Sequence, residues 1–198
     1  MPLKVDAYME GSVVRGLVAP AGRLRDTLEA TAELQIQDAT VVALDEASAR
    51  PAGTVAIPID DLMMVAADDD PGLPVHAAWH RIRLEAGPYE IHGELSTMPG
   101  FDPGRALTRP TGMFVLLRDV VIGLPGRSEA GEARHDHALV NRYTVDAVEA
   151  DIMLGFFFPG ARLIGTPEMP SLPSASAEVP AVPPAPPTAT TETPAPAS

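Results

Sequence analysis

The sequence predicts a mainly β protein: two related small barrel-like units in tandem, at most short helices, and a disordered proline-rich C-terminal tail. Three observations carry this. Short β-branched runs alternate with turn signals, the order of those runs returns after an acidic break, and the composition changes at Pro167.

The first unit is placed at 8–70. Val13–Val18 is apolar and β-branched, and Leu34, Ile36 and Thr40–Leu44 make a longer extended segment with Asp38-Ala39 in its middle. Between them, GRLRDTLEAT predicts one short helix over Leu24–Thr31, because Leu24 and Leu28 stand one turn apart and give a narrow apolar stripe. Val55, Ile57 and Ile59 alternate with Ala56 and Pro58. Proline has no N–H for a ladder, so this strand belongs at a sheet edge. Asp68, Asp69, Asp70, Pro71 and Gly72 then break the chain. The second unit, 75–165, has extended runs at Arg81–Leu84, Tyr89–Leu95, Met113–Gly123 and Leu139–Val145.

The tail, 166–198, is the simplest segment to read. From Pro167 onward ten of 32 residues are proline and none is aromatic, so too little apolar surface is available to offset the entropy of ordering. Pro183, Pro184, Ala185, Pro186 and Pro187 favour polyproline II, as a spacer or as a docking motif.

Charge and composition exclude several functions. The formal net charge is −13, from 27 acids against 14 bases, and clustered cations are what hold a phosphate backbone. Nucleic acid is therefore not an expected partner; a protein partner or self-association is. The chain has no cysteine, which removes disulfides, thiol catalysis and cysteine-based zinc sites. MPLKVDAYMEGSVVRG lacks the basic and apolar segments of a signal peptide, and no apolar run approaches the ~20 residues that span a bilayer. The expected location is the cytoplasm. No cofactor or metal is expected.

The two units read as copies. Val14-Arg15-Gly16-Leu17 precedes Leu34-Gln35-Ile36-Gln37-Asp38-Ala39-Thr40-Val41-Val42, and Ile91-His92-Gly93-Glu94-Leu95 precedes Val115-Leu116-Leu117-Arg118-Asp119-Val120-Val121-Ile122. Gly16 matches Gly93 at a separation of 77, and Asp38 matches Asp119 at 81. Ile57-Pro58-Ile59-Asp60-Asp61-Leu62 is matched with Tyr143-Thr144-Val145-Asp146-Ala147-Val148. A glycine in the opening strand, an Asp-Ala step in the middle and an Ile-x-Ile-Asp-x-Leu close resemble a family of bacterial Sm-like or SH3-like small β-barrel proteins. The resemblance covers about residues 10–66 closely and 88–154 loosely. It implies compact barrels whose edge strands pair with neighbours or docked peptides. The asparagine and the basic-flanked glycine with which Sm-like proteins hold RNA are missing, so RNA binding is not implied.

Candidate sites follow from residue chemistry. Phe156, Phe157 and Phe158 cannot all face one side of a strand, which points to an apolar patch that binds a partner, or else to core packing. Arg105, Arg109 and Arg118 are the candidate anion pocket, since guanidinium groups bind carboxylate and phosphate bidentately. Asp38 and Asp119 sit in apolar strands, where a buried carboxylate would cap backbone N–H groups at a bulge. Gly16 and Gly93 are structural with them. His135 and His137 flank Asp136 in SEAGEARHDHAL, expected to be an exposed hairpin loop; His76 and His80 flank Trp79, and His92 stands apart. No second acid, base or nucleophile accompanies any of these, so the expected function is non-enzymatic: interaction or scaffolding, with a small-anion sensor as the alternative.

Overall fold

The computed structural model describes residues 1–45, 48–68, 72, 77–97, 112–125, 131–152, 154 and 157–165. Its strands are β1 (Leu3–Tyr8), β2 (Ser12–Val18), β3 (Glu33–Ala43), β4 (Ala49–Pro58), β5 (Met64–Ala67), β6 (Ala78–Ala86), β7 (Tyr89–Thr97), β8 (Phe114–Gly123), β9 (Ala133–Asn141), β10 (Ala147–Ala150) and β11 (Arg162–Ile164). Helix α1 (Leu24–Ala30) lies between β2 and β3, and one 3-10 turn covers Ile59–Asp61. All eleven strands join one sheet, in the order β11-β10-β6-β7-β8-β9-β5-β1-β2-β3-β4. The fold is mainly β. No described helix is long and apolar enough to cross a membrane. The expected tail lies outside the described residues, and so do Asp69, Asp70 and Pro71 of the expected Asp68–Gly72 break.

Most elements follow from local pattern. Leu24 and Leu28 are the buried residues of α1, as their spacing predicts. β4 ends the sheet, where Pro51 and Pro58 withhold no N–H from a second neighbour. Two readings change. β1 starts at Leu3, five residues before the expected start of the first unit, and pairs with both β2 and β5. His135 and His137 lie on β9 rather than in a loop, because β9 pairs with β8 as far back as Ala133↔Ile122.

The registers repeat along the chain. Val5↔Gly16 and Ala7↔Val14 in β1·β2 become Ile82↔Gly93 and Leu84↔Ile91 in β6·β7, a shift of 77 on both strands. Arg15↔Thr40 and Leu17↔Gln37 in β2·β3 become His92↔Val121 and Glu94↔Arg118 in β7·β8. Leu34↔Ile57 becomes Val115↔Val140, and Ala7↔Val65 becomes Leu84↔Val148. The return strand therefore follows a shift of 83, so that Ile59 corresponds to Arg142 and Leu62 to Val145, three residues from the match drawn on sequence alone. The backbone agrees: Ile59 N–H donates to Ala32 O, and Arg142 N–H donates to Met113 O.

Each register carries a β-bulge at the same place. Gly16 faces Asp38 and Ala39, and Gly93 faces Asp119 and Val120. Asp38 and Asp119 have φ of 49° and 51°, the only positive values among described non-glycine residues. Their carboxylates are exposed (Asp119 by 75%), so these positions hold aspartate for its tolerance of the left-handed region and not as buried caps.

Two hydrophobic cores lie along the sheet, and they interlock. The first contains Val5, Ile36, Ile57 and Leu62 but also Phe114 and Leu139 from the second half. The second contains Ile82, Leu84, Leu117 and Phe158 but also Tyr8, Met63 and Met64 from the first. The β5·β9 pair explains the exchange. Val65 and Leu139 face the first core, whereas Met64, Ala66, Ala138 and Val140 face the second. Alternation along a strand buries both faces of the junction. Residues Met1–Pro167 accordingly form one compact unit.

Candidate functional site

The sheet has two ends, and they differ. β4 offers ten residues, of which Ala49–Thr54 are exposed. Ile59 N–H turns inward to Ala32 O, so alternation turns Ile57 and Val55 toward β3 and leaves the backbone groups of Ala56 and Thr54 facing out. A strand edge of this kind, without a partner strand among the described residues, is a template for another chain. At the opposite end β11 contributes three residues, parallel to β10, with Arg162 N–H donating to Asp146 O at 2.8 Å and Leu163 43% exposed.

The residues singled out by sequence are dispersed. Phe158 is fully buried in the second core and offers no surface; Phe157 is half-buried against the same core; Phe156 lies outside the described residues. Arg105 and Arg109 also lie outside them. Arg118 is held by Glu94, at 2.8 Å from Nε and 2.6 Å from one terminal nitrogen, and its guanidinium stacks 3.8 Å over Trp79. That carboxylate already neutralises the charge an anion would seek. His80 pairs with Thr97 Oγ1 and Asp151, and His92 with Glu90, while His76 is outside the described residues. No three His, Asp or Glu side chains among the described residues converge on a metal position.

Sequence reasoning passed over a surface network on β6, β7 and β10. Arg83 Nε lies 2.9 Å from Glu90, and its terminal nitrogens reach Glu85 and Glu149. The Arg83 and His92 hydrogen bonds hold the Glu90 carboxyl down at about 2. Its signal was legible: Arg83 and Glu85 alternate on one strand, Glu90 and His92 on the next, across the Gly87-Pro88 turn.

Two tyrosines tie the halves together. Tyr8 Oη lies 2.7 Å from His135 Nε2, and Tyr89 Oη donates to Met9 O at 2.7 Å, with the two rings edge-to-face at 5.5 Å. Burial pushes both hydroxyls up, so they stay protonated. Burial also pushes His135 below its ordinary value, aided by Arg15 and His137 and opposed by Asp6 and Asp68. The folded state thus prefers neutral imidazole, and the unfolded chain takes up the proton first as pH falls. Stability should be complete above about 6.5, the unfolded value, and decline below it. Glu90 acts in a separate window, from about 4.5 down to about 2. Urea titrations at pH 7.5 and 5.5 should show a loss that His135→Gln reduces. Equal losses in both proteins would refute the assignment.

Between α1 and the second half lies a cleft of about 640 Å³. Its floor is Val65, Leu95, Val115, Leu139 and Phe157; Arg23, Arg25, Asp26, Glu29 and His137 stand around it. His137 Nε2 is buried there without a hydrogen-bond partner among the described residues. Glu29 spans the cleft wall: its carboxylate accepts the N–H of Met113 at 2.8 Å and of Phe114 at 3.1 Å, and a Cβ at Gly112 would overlap it. The mixed charges give the cleft no single sign. No protein-family model matches this chain, and neither does any curated protein or solved structure.

Proposed function

We propose that this chain is a non-enzymatic interaction or scaffold protein, built from two copies of a five-stranded barrel-like module, that binds polypeptide by adding a strand to its open β4 edge. The duplication is supported by registers that shift by constant offsets and by the paired bulges at Asp38 and Asp119. In each set of five the last strand returns to pair with the first, as in the small barrels the sequence resembles. Among the described residues no ladder joins the fourth strand back to the fifth within a set.

One observation carries the functional reading. β9, which holds in the second set the place of β4 in the first, uses its outer edge to pair with β5. Among the described residues, no strand pairs with the same edge of β4. Its partner would be an extended protein segment held by main-chain hydrogen bonds, and the acidity of the chain favours protein over nucleic acid.

Ala56→Pro tests this, because it removes one of the outward N–H groups of β4, that of Ala56, and leaves the β3·β4 bonds at Val55 and Ile57 in place. Capture of partners from the source cell should fall at least ~10-fold, equivalent to about 1.4 kcal/mol, and hydrogen exchange should show Thr54 and Ala56 protected in the wild-type complex alone. Arg118→Ala should leave capture unchanged. Identical capture by wild type and Ala56→Pro would end the proposal.

A further inference from the structure

The junction within the chain specifies a junction between chains. β5·β9 pairs Met64↔Val140, Val65↔Leu139 and Ala66↔Ala138. The 83-residue shift carries Met64, Val65 and Ala66 to Ala147, Val148 and Glu149, and carries Ile57, Ala56 and Val55 to Val140, Leu139 and Ala138. The two ends of the sheet are therefore the complementary halves of the contact the molecule already makes at its centre. β4 of one copy would meet β10 of the next as Ile57↔Ala147, Ala56↔Val148 and Val55↔Glu149.

That seat is occupied. β11 pairs with the same three residues: Ala147↔Arg162, Val148↔Leu163 and Glu149↔Ile164. We infer that β10 is the docking edge for β4 of a second copy of this chain, and that β11 is an intramolecular strand which blocks it. The inference rests on the reading of β4 as a strand-adding edge and names its partner. The contact is heterologous, so it links copies head to tail, into a ring where the rotation closes and an open chain where it does not; a blocking strand at one end would keep such a chain monomeric.

The two contacts are unequal in a way that permits exchange. β5·β9 is buried on both faces, whereas β11 is three residues long with Arg162 and Leu163 exposed. Among the described residues its ion pair is Arg162 with Glu85 at 3.6 Å, from an exposed guanidinium to a half-buried carboxylate. Glu149, where the central junction has Ala66, keeps Arg83 as its partner on the solvent side and need not be desolvated. The net charge of −13 opposes assembly over long range, so association should strengthen as salt shortens the screening length.

The experiment uses the full chain. In Arg162→Pro/Ile164→Pro the N–H groups that hold β11 are gone, while Phe158 and the second core are untouched. Light scattering in 0.5 M salt should give the wild type at 20.8 kDa and the variant at twice that mass or more, rising with concentration. Adding Ala56→Pro should restore the monomer. Because the chain lacks cysteine, Val55→Cys/Glu149→Cys supplies a second reading in an unaltered β11 background: oxidation should give a ladder of covalent oligomers, formed at least ~10-fold faster once the two prolines are added. A monomeric proline variant that gives no ladder overturns the inference, and so do oligomers that survive Ala56→Pro. If Ala56→Pro still abolishes capture of another protein in those cases, the β4 edge reading stands and only the second-copy partner is lost.

Discussion

Truncating Phe114 to alanine is expected to destabilise the whole chain by about 3–5 kcal/mol, although Phe114 lies on β8 and its ring fills the core of the other half. A typical domain is stable by only about 5–15 kcal/mol, so this one change removes a large part of the total. The exchange is reciprocal, with Tyr8, Met63 and Met64 filling the second core from the first half. Neither half contains all of its own interior. Urea unfolding should therefore be a single transition by fluorescence of Trp79 and by far-UV circular dichroism. Trp79 is on β6, so a protein with independent halves would separate the two signals. Phe114→Ala should move both midpoints together. Segments 1–72 and 73–198, expressed apart, should give no cooperative transition. Two resolved transitions in the intact chain, or a folded isolated half, would show the exchange to be incidental.

The sequence discloses what depends on local chemistry. α1 is legible because Leu24 and Leu28 recur one turn apart, and β4 is legible as an edge because Pro58 has no donor. β9 is obscured for a physical reason. Its first residues, Ala133–His137, are mostly polar, since the inward positions there hold histidines that meet Tyr8 and the cleft instead of an aliphatic core. β1, β10 and β11 span six, four and three residues, too few for alternation to stand out. The junction is hidden more completely. Val65 and Leu139 look like any strand residues, and nothing in their neighbours tells that their flanking positions serve a different core. The Phe156–Phe158 run was conspicuous by composition, yet Phe158 is interior; three apolar residues in a row mark a segment buried on more than one side as readily as a surface patch.

The matched glycines give the last expected result, a difference between two sites that the sequence presents as the same. Gly16 and Gly93 each face a left-handed aspartate across a bulge, where the strands approach because one residue opposes two. A Cβ at Gly16 would lie 2.5 Å from Gln37 O and from Ile36 Cγ2, and 3.2 Å from Ala39 Cα. Two of those three atoms are backbone, so the strand itself would have to move. A Cβ at Gly93 would meet Arg118 O at 3.2 Å and Leu117 carbons at 3.5 Å, a contact that a shift of a few tenths of an ångström relieves. Gly16→Ala should cost about 3 kcal/mol, in the overpacking range, and Gly93→Ala below about 1 kcal/mol. Asp38→Gly, which keeps the left-handed backbone available, should stay within about 0.5 kcal/mol of wild type. Urea midpoints at constant slope measure all three. Equal losses at the two glycines would mean that the second bulge is as tight as the first, and a large loss at Asp38→Gly would mean that its carboxylate matters more than its φ.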